Sequence, residues 1–127
     1  MSNDLDKNPL RVACLGMGWW SDVLADAIQR SDEIEIVSCF TRSSEKKTAF
    51  ADKYGCKQAQ SYEEILADPS IEGIINTTPN HVHLETTRAA AKAGKHIFLD
   101  KPIANSIADG KAISRIRKDS GVVIAIG

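Results

Sequence analysis

Short apolar runs alternate along this chain with longer stretches in which apolar residues recur every three or four positions. Leu10–Leu15 is a brief apolar run closed by Gly16, which suits a buried strand better than a helix. Trp20, Val23, Leu24, Ala27 and Ile28 then fall at i, i+3, i+4, i+7 and i+8, one stripe of an amphipathic helix, and this places Trp20 in the core. Ile34–Phe40, rich in β-branched and aromatic residues, reads as a second strand. Ser43 or Ser44 can cap a helix that carries Ala49, Phe50 and Tyr54 on one face and stops at Gly55. Lys57–Gln60 makes a weak strand, and Ser61 with Glu64 forms a capping box for a short helix holding Ile65 and Leu66, ended by Asp68-Pro69. Ile71–Asn76 reads as a strand, Pro79-Asn80 as a turn, and His81–Ala93 as a helix with Val82, Ala89, Ala90 and Ala93 on one side, stopped by Gly94. His96–Leu99 is the next strand. Asn105 or Ser106 can start a helix grouping Ala108, Ala112, Ile113 and Ile116; Gly121 ends it, and Val122–Ile126 is a final apolar strand.

Strands alternating with helices of this length require right-handed crossovers and a parallel sheet covered on both faces. The expected fold is therefore α/β: a three-layer, doubly wound parallel sheet of about six strands, the Rossmann arrangement, over residues 9–127. Residues 1–8, polar and mixed in charge, read as a disordered tail and not as a signal peptide.

Composition narrows the function. At 127 residues, 43% hydrophobic and 26% charged, the chain has the make-up of one globular domain. A formal net charge of −1 without a basic block removes the footprint of a nucleic-acid binder, so no nucleic-acid partner is expected. No apolar stretch approaches the roughly 20 residues that span a bilayer, so no membrane partner is expected either. Cys14, Cys39 and Cys56 are odd in number and lack paired metal-ligand spacing. They read as reduced, buried small hydrophobes of a cytoplasmic protein, and no metal site is expected.

The candidate chemistry begins at the first strand's end. Gly16-Met17-Gly18-Trp19-Trp20-Ser21 has the form G-x-G-x-x-S, with serine where the dinucleotide fingerprint has its third glycine. The first glycine permits a tight turn, the second lets a pyrophosphate approach the backbone, and the helix N-terminus supplies free N–H groups and the positive end of its dipole. A turn of this form placed between a strand and a helix near the N-terminus favours dinucleotide binding over a plain strand–helix connection. Trp19 either shields the pyrophosphate or is an exposed loop aromatic; the sequence leaves both open. After the second strand, an acid would bond the adenosine ribose 2′-OH and favour NAD. Here the chain reads Thr41-Arg42-Ser43-Ser44, and Arg42 can stack on adenine or pair with a 2′-phosphate, which tilts the choice between NAD and NADP toward NADP.

Two further stretches complete an ordered set. Asn76-Thr77-Thr78-Pro79-Asn80-His81-Val82-His83 resembles the TPN…H segment of the Gfo/Idh/MocA oxidoreductases, and Asp100-Lys101-Pro102 resembles their E-K-P signature with aspartate for glutamate. With the Gly16 turn and the Thr41-Arg42 segment, the resemblance runs over nearly the whole chain. It implies an N-terminal NAD(P)-binding Rossmann domain joined to a C-terminal substrate domain, and hydride transfer to or from hydroxyl and keto groups of sugars, cyclitols and related molecules. It implies that Lys101 stands beside the nicotinamide and handles a proton or orients the substrate hydroxyl. It also implies that Thr78, Pro79, Asn80 and His83 line the cofactor groove, and that Asp100 contacts the nicotinamide-side ribose, one methylene shorter than the usual glutamate. The residues agree independently: in a doubly wound sheet ligands sit outside the carboxyl ends of the strands, a partly buried lysine can act as the base that alcohol oxidation needs, and Pro102 fixes the chain direction after Lys101.

The family's chains run well beyond the strand that ends at Gly127. The expectation is a fragment that lacks the substrate domain, binds dinucleotide weakly and turns over no polyol or sugar-like substrate by itself. A homo-oligomer is expected, and an apolar last strand at the sheet edge would invite pairing. Two other readings stay open: a non-catalytic dinucleotide-binding sensor or interaction module, and a glycoside-cleaving family member with tightly bound NAD.

Overall fold

The computed structural model describes residues 8–127, so the tail expected over 1–8 lies, Asn8 apart, outside the described residues. The strands are β1 (Leu10–Leu15), β2 (Ile34–Phe40), β3 (Lys57–Gln58), β4 (Gly73–Asn76), β5 (His96–Leu99) and β6 (Ile124–Ile126). The helices are α1 (Trp19–Gln29), α2 (Ser44–Tyr54), α3 (Tyr62–Ala67), α4 (His83–Lys92) and α5 (Ile107–Ser120). All six strands pair in parallel in the order β3-β2-β1-β4-β5-β6. The order reverses direction at β1/β4, the topological switch point where open α/β sheets bind ligands. The doubly wound sheet read from the alternation of periods is thus the observed fold.

Alternate side chains of a strand point to opposite faces, and β1 feeds both cores. Val12 and Cys14 face a core with Ala25 of α1 and Phe50, Ala51 and Tyr54 of α2. Ala13 and Leu15 face the other, with Ile65 of α3, Ala90 and Ala91 of α4 and Ile113 of α5. Cys14 and Cys39 sit opposite one another in the β1–β2 register, and both are buried free thiols.

Local signals resolve several alternatives. Ser43, not Ser44, caps α2 by accepting from Lys46 N–H, and Ser106, not Asn105, caps α5 by accepting from Asp109 N–H. Ser61 caps α3 through Glu64 N–H at 3.0 Å, but the Glu64 carboxylate reaches Lys57 Nζ at 3.8 Å, so only half of the capping box forms. The helix expected from His81 opens with a 3-10 turn at Asn80–Val82 and becomes α-helical only at His83. β3 and β6 are shorter than the segments expected for them, Lys57–Gln60 and Val122–Ile126, and β6 lies at the edge of the sheet.

The placement of Trp20 in the core is corrected: its side chain is 37% exposed. Helix α1 turns Ser21, Leu24, Ala25 and Ile28 inward, a stripe one position removed from the one expected at its start. Ser21 and Ala25 are both buried, and their small size lets the helix lie close against the sheet. An indole at that level would hold the helix away, so Trp20 turns outward beside Trp19 with ring centroids 5.8 Å apart. Ser21, at the fingerprint's third-glycine position, is 3% exposed and fulfils the close-packing role of that glycine.

Candidate functional site

Five strands end level. Leu15 pairs with Phe40 and with Asn76, Asn76 with Leu99, and Leu99 with Ile126. The next residues, Thr41, Gly16, Thr77, Asp100 and Gly127, therefore emerge side by side from the carboxyl edge. Five segments spread along the chain from Gly16 to Gly127 are in this way brought to one rim by the register alone.

At the centre of this rim the loops after β1 and β4 touch. Gly16 has φ 84°, and its N–H donates to Phe40 O at 3.0 Å. A Cβ on Gly16 would lie 3.0 Å from Thr78 N and 3.1 Å from the carbonyl carbon and oxygen of Thr77. Thr77 Oγ1 donates to Gly16 O at 2.8 Å, and Thr77 N–H to Leu15 O at 2.9 Å, closing the contact. Gly18 differs: it is extended at φ −163°, and a Cβ there would meet no heavy atom within 4 Å. It opens α1 without a side-chain cap, and the N–H groups of Trp19, Trp20 and Ser21 find no acceptor among the described residues. Helices α2, α3 and α5 satisfy one such donor with a serine, whereas α1, like α4, presents its first turn uncapped. Open space above Gly18 and free amides at a helix N-terminus fit a diphosphate.

Beside this turn lies a cleft of about 660 Å³ at the switch point. Gly16, Met17, Thr41, Arg42, Thr78 and Pro79 line it, so six of the residues singled out from sequence share one cavity. Met17 and Gly18 also border a smaller depression of about 220 Å³ together with Lys46 on the first turn of α2. Trp19, 78% exposed, projects from the α1 N-terminus, and Asn80 is exposed in the 3-10 turn.

On the other flank, Asp100–Ser106 connects β5 to α5 without regular structure. Asp100 is half-buried, and Lys101 and Pro102 are exposed. Asp100 N–H donates to Asn76 O at 3.0 Å and Lys101 N–H to Gly127 O at 3.0 Å, which ties the turn to β4 on one side and β6 on the other. Lys101 thus stands two residues past the end of β5, on the same rim as the glycine turn.

His83 does not line the groove surface. Its side chain is wholly buried beneath the rim, with Nδ1 3.0 Å from Pro102 O and Nε2 2.9 Å from Thr78 O. It can act on the groove only through the two carbonyls it contacts.

The sequence reading gave no role to Asn76, Tyr62 or Thr86. Asn76 is buried at the end of β4; its Oδ1 accepts from Thr78 N–H at 3.0 Å and Oγ1 at 2.6 Å, and its Nδ2 donates to Thr86 Oγ1 at 2.8 Å. Tyr62 and Thr86 line the cleft, and Tyr62 Oη donates to Thr86 O at 2.7 Å. Burial pushes the Tyr62 phenol above its ordinary pKa, so it remains a neutral donor. A signal for Asn76 was present: a side-chain amide closing an otherwise apolar strand must be satisfied, and its partners had to lie in the loop that follows.

The family model described as an oxidoreductase family with an NAD-binding Rossmann fold matches residues 10–127. The chain belongs to the Gfo/Idh/MocA family. It constitutes that family's NAD(P)-binding Rossmann domain. It is 33% identical over 119 residues to 4-carboxy-2-hydroxymuconate-6-semialdehyde dehydrogenase of Sphingobium sp., covering 93% of this chain and 38% of that protein. It is 33% identical over 119 residues to the NADP(+) scyllo-inositol 2-dehydrogenase IolW of Bacillus subtilis, covering 92% of this chain and 32% of the enzyme. Among solved structures, biliverdin reductase of Synechocystis in complex with biliverdin and NADP+ superposes with a TM-score of 0.87 at 29% identity, covering 93% of this chain and 37% of that one. The chain spans about a third of the length of the Gfo/Idh/MocA relatives it matches. No helix among the described residues is long and apolar enough to cross a membrane.

Proposed function

We propose that this domain binds NADP in preference to NAD and serves an oxidoreductase that acts on hydroxyl or keto groups of a sugar, cyclitol or related small molecule. The observation that carries the reading is the level carboxyl edge, which brings the uncapped Gly18 turn, the cleft with Arg42 and the Lys101 turn to one rim of the sheet. The cofactor supplies a hydride acceptor or donor; the chain supplies everything that holds it. The amides of Trp19, Trp20 and Ser21 receive the diphosphate, with Gly18 leaving room for it. Thr41, Thr78 and Pro79 border the adenosine side, where no acid follows β2. Arg42 and Lys46 offer two cations near the ribose 2′ position, and a 2′-phosphate is the group that satisfies them. Asp100 faces the nicotinamide-side ribose. The Lys101 ammonium, beyond β5, takes or returns the proton of the reacting hydroxyl while the hydride moves. The substrate itself is held by a further domain, in keeping with the share of its relatives that this chain covers.

Titration of the chain with NADPH and NADH, followed by nucleotide fluorescence, tests the proposal. NADPH binds at least tenfold more tightly, a difference of about 1.4 kcal/mol, and Arg42→Ala abolishes the difference. Tighter binding of NADH, or no effect of Arg42→Ala, overturns the NADP assignment.

A further inference from the structure

We infer that His83 is a positioning residue: its ring ties the loop after β4 to the loop after β5 and so sets where Asp100 and Lys101 stand across the crevice. The inference rests on the dinucleotide reading above and adds the element that spaces its two rims.

A wholly buried imidazole is costly unless its nitrogens are engaged, and here each faces a carbonyl oxygen: Pro102 O at 3.0 Å and Thr78 O at 2.9 Å. A ring with one N–H donates to one of these oxygens and packs against the other; a ring with both protons donates to both. The two carbonyls belong to different loops, separated in sequence by the whole of α4 and β5. One side of the tie is rigid. Thr78 is gripped through N–H and Oγ1 by Asn76, and Asn76 is held in turn by Thr86 Oγ1, which itself donates to Val82 O at 2.7 Å. The other side is not braced in this way. Asp100–Ser106 lacks regular structure, and Pro102 has no N–H to give. Its anchors are Asp100 N–H on Asn76 O, Lys101 N–H on Gly127 O, and Pro102 O on His83. Asp100 N–H fixes the start of the turn to the end of β4, and among the described residues the ring is the hydrogen-bonding side chain that joins the Pro102 end of the turn to the Thr78 loop, so its span sets the distance between the two rims there. A residue that merely filled the space would need no polar atoms; leucine would serve.

The test separates the nicotinamide half of the ligand from the adenosine half. The chain is titrated with NADPH and with 2′-phospho-ADP-ribose, which lacks nicotinamide, alongside NADH and ADP-ribose. His83→Gln, which keeps one donor of similar reach, weakens dinucleotide binding about tenfold, because the turn carries Asp100 away from the nicotinamide-side ribose, and leaves the ADP-ribose ligand unchanged; His83→Leu weakens the dinucleotide further, again sparing the fragment. Equal weakening of both ligands, or of neither, overturns the inference. A substitution that prevents folding shifts the test to the unsubstituted chain. There a slowly exchanging His83 ring proton, with a hydrogen-bond coupling to the Thr78 or Pro102 carbonyl carbon, is expected in nuclear magnetic resonance spectra, and its absence overturns the tie. Failure of the unsubstituted chain to bind any of the four ligands overturns the dinucleotide reading itself, a result distinct from unequal effects of the His83 variants.

Discussion

Gly16 and Gly18 belong to one fingerprint, yet their surroundings differ and the proposed reading gives them separate duties, and alanine at each position tells them apart. At Gly16, alanine is forced into left-handed backbone at φ 84° and drives its Cβ to 3.0 Å from Thr78 N and 3.1 Å from Thr77 C and O. The left-handed conformation costs about 1–2 kcal/mol for a residue with a Cβ. The clash is with backbone at the end of the central strand, which cannot swing aside, and overpacking of this kind costs about 1–3 kcal/mol more. The sum, about 2–5 kcal/mol, lowers the melting temperature of a domain this size by roughly 10 °C or more. At Gly18 the backbone is extended and the added Cβ meets nothing within 4 Å. Alanine there costs only the difference between two N-cap residues, under about 1 kcal/mol, but it occupies the space left for the diphosphate. Circular dichroism melts paired with NADPH titrations read both effects. Gly16→Ala melts far below the unsubstituted chain, whereas Gly18→Ala melts close to it and loses at least tenfold in affinity, about 1.4 kcal/mol. Equal melting temperatures for the two variants would refute the division of roles, as would a Gly18→Ala chain that binds normally.

Other outcomes follow from the same coordinates. In a protein that joins this domain to a substrate domain, Lys101→Ala lowers turnover by about 10²–10⁴-fold, the usual worth of a proton-transfer group, with cofactor affinity nearly unchanged; retained turnover would remove the lysine from the reaction. Burial pushes the Cys14 thiol well above its ordinary pKa, and the neighbouring Cys56 together with burial does the same for Cys39, while the neighbouring Cys39 thiol holds the half-buried Cys56 below its ordinary value. A thiol reagent such as Ellman's compound therefore modifies Cys56 first in the folded chain and the other two only on unfolding; simultaneous reaction of all three contradicts this. The Ser70 hydroxyl and amide hold the Asp68 carboxyl below the usual carboxylate value. The carboxylate thus contributes stability above that value and loses it as the pH falls through the depressed one. Asp68→Asn is accordingly less stable near neutrality, and its deficit closes on acidification; a deficit that grows in acid would reverse the assignment.

Most of the fold was legible because its signals are periodic. Brief apolar runs placed β1, β2, β4 and β5, the first of them closed by Gly16, and serines at helix starts placed the caps of α2, α3 and α5. Trp20 was misplaced because hydrophobicity alone decides a stripe, while the fit of α1 against the sheet depends on the small size of Ser21 and Ala25. The residues gathered at the crevice were legible for a topological reason: the parallel register delivers the segment after every strand to one edge, wherever it lies in sequence. Depth below that edge was not legible. His83 and Asn76 lie under the rim and not on it, because their bonds are to carbonyls and amides of loops whose paths no local pattern specifies.

On the proposed reading, the segments after β1, β2, β4 and β5 form a single dinucleotide crevice. Amide nuclear magnetic resonance spectra of the chain, recorded while NADPH is added, test it most directly. Saturable shifts are expected at Gly16–Ser21, Thr41–Arg42, Thr77–Asn80 and Asp100–Lys101, with the opposite edge of the sheet, around Glu33 and Glu72, unmoved. Shifts confined to that opposite edge, or none at saturating nucleotide, would contradict it.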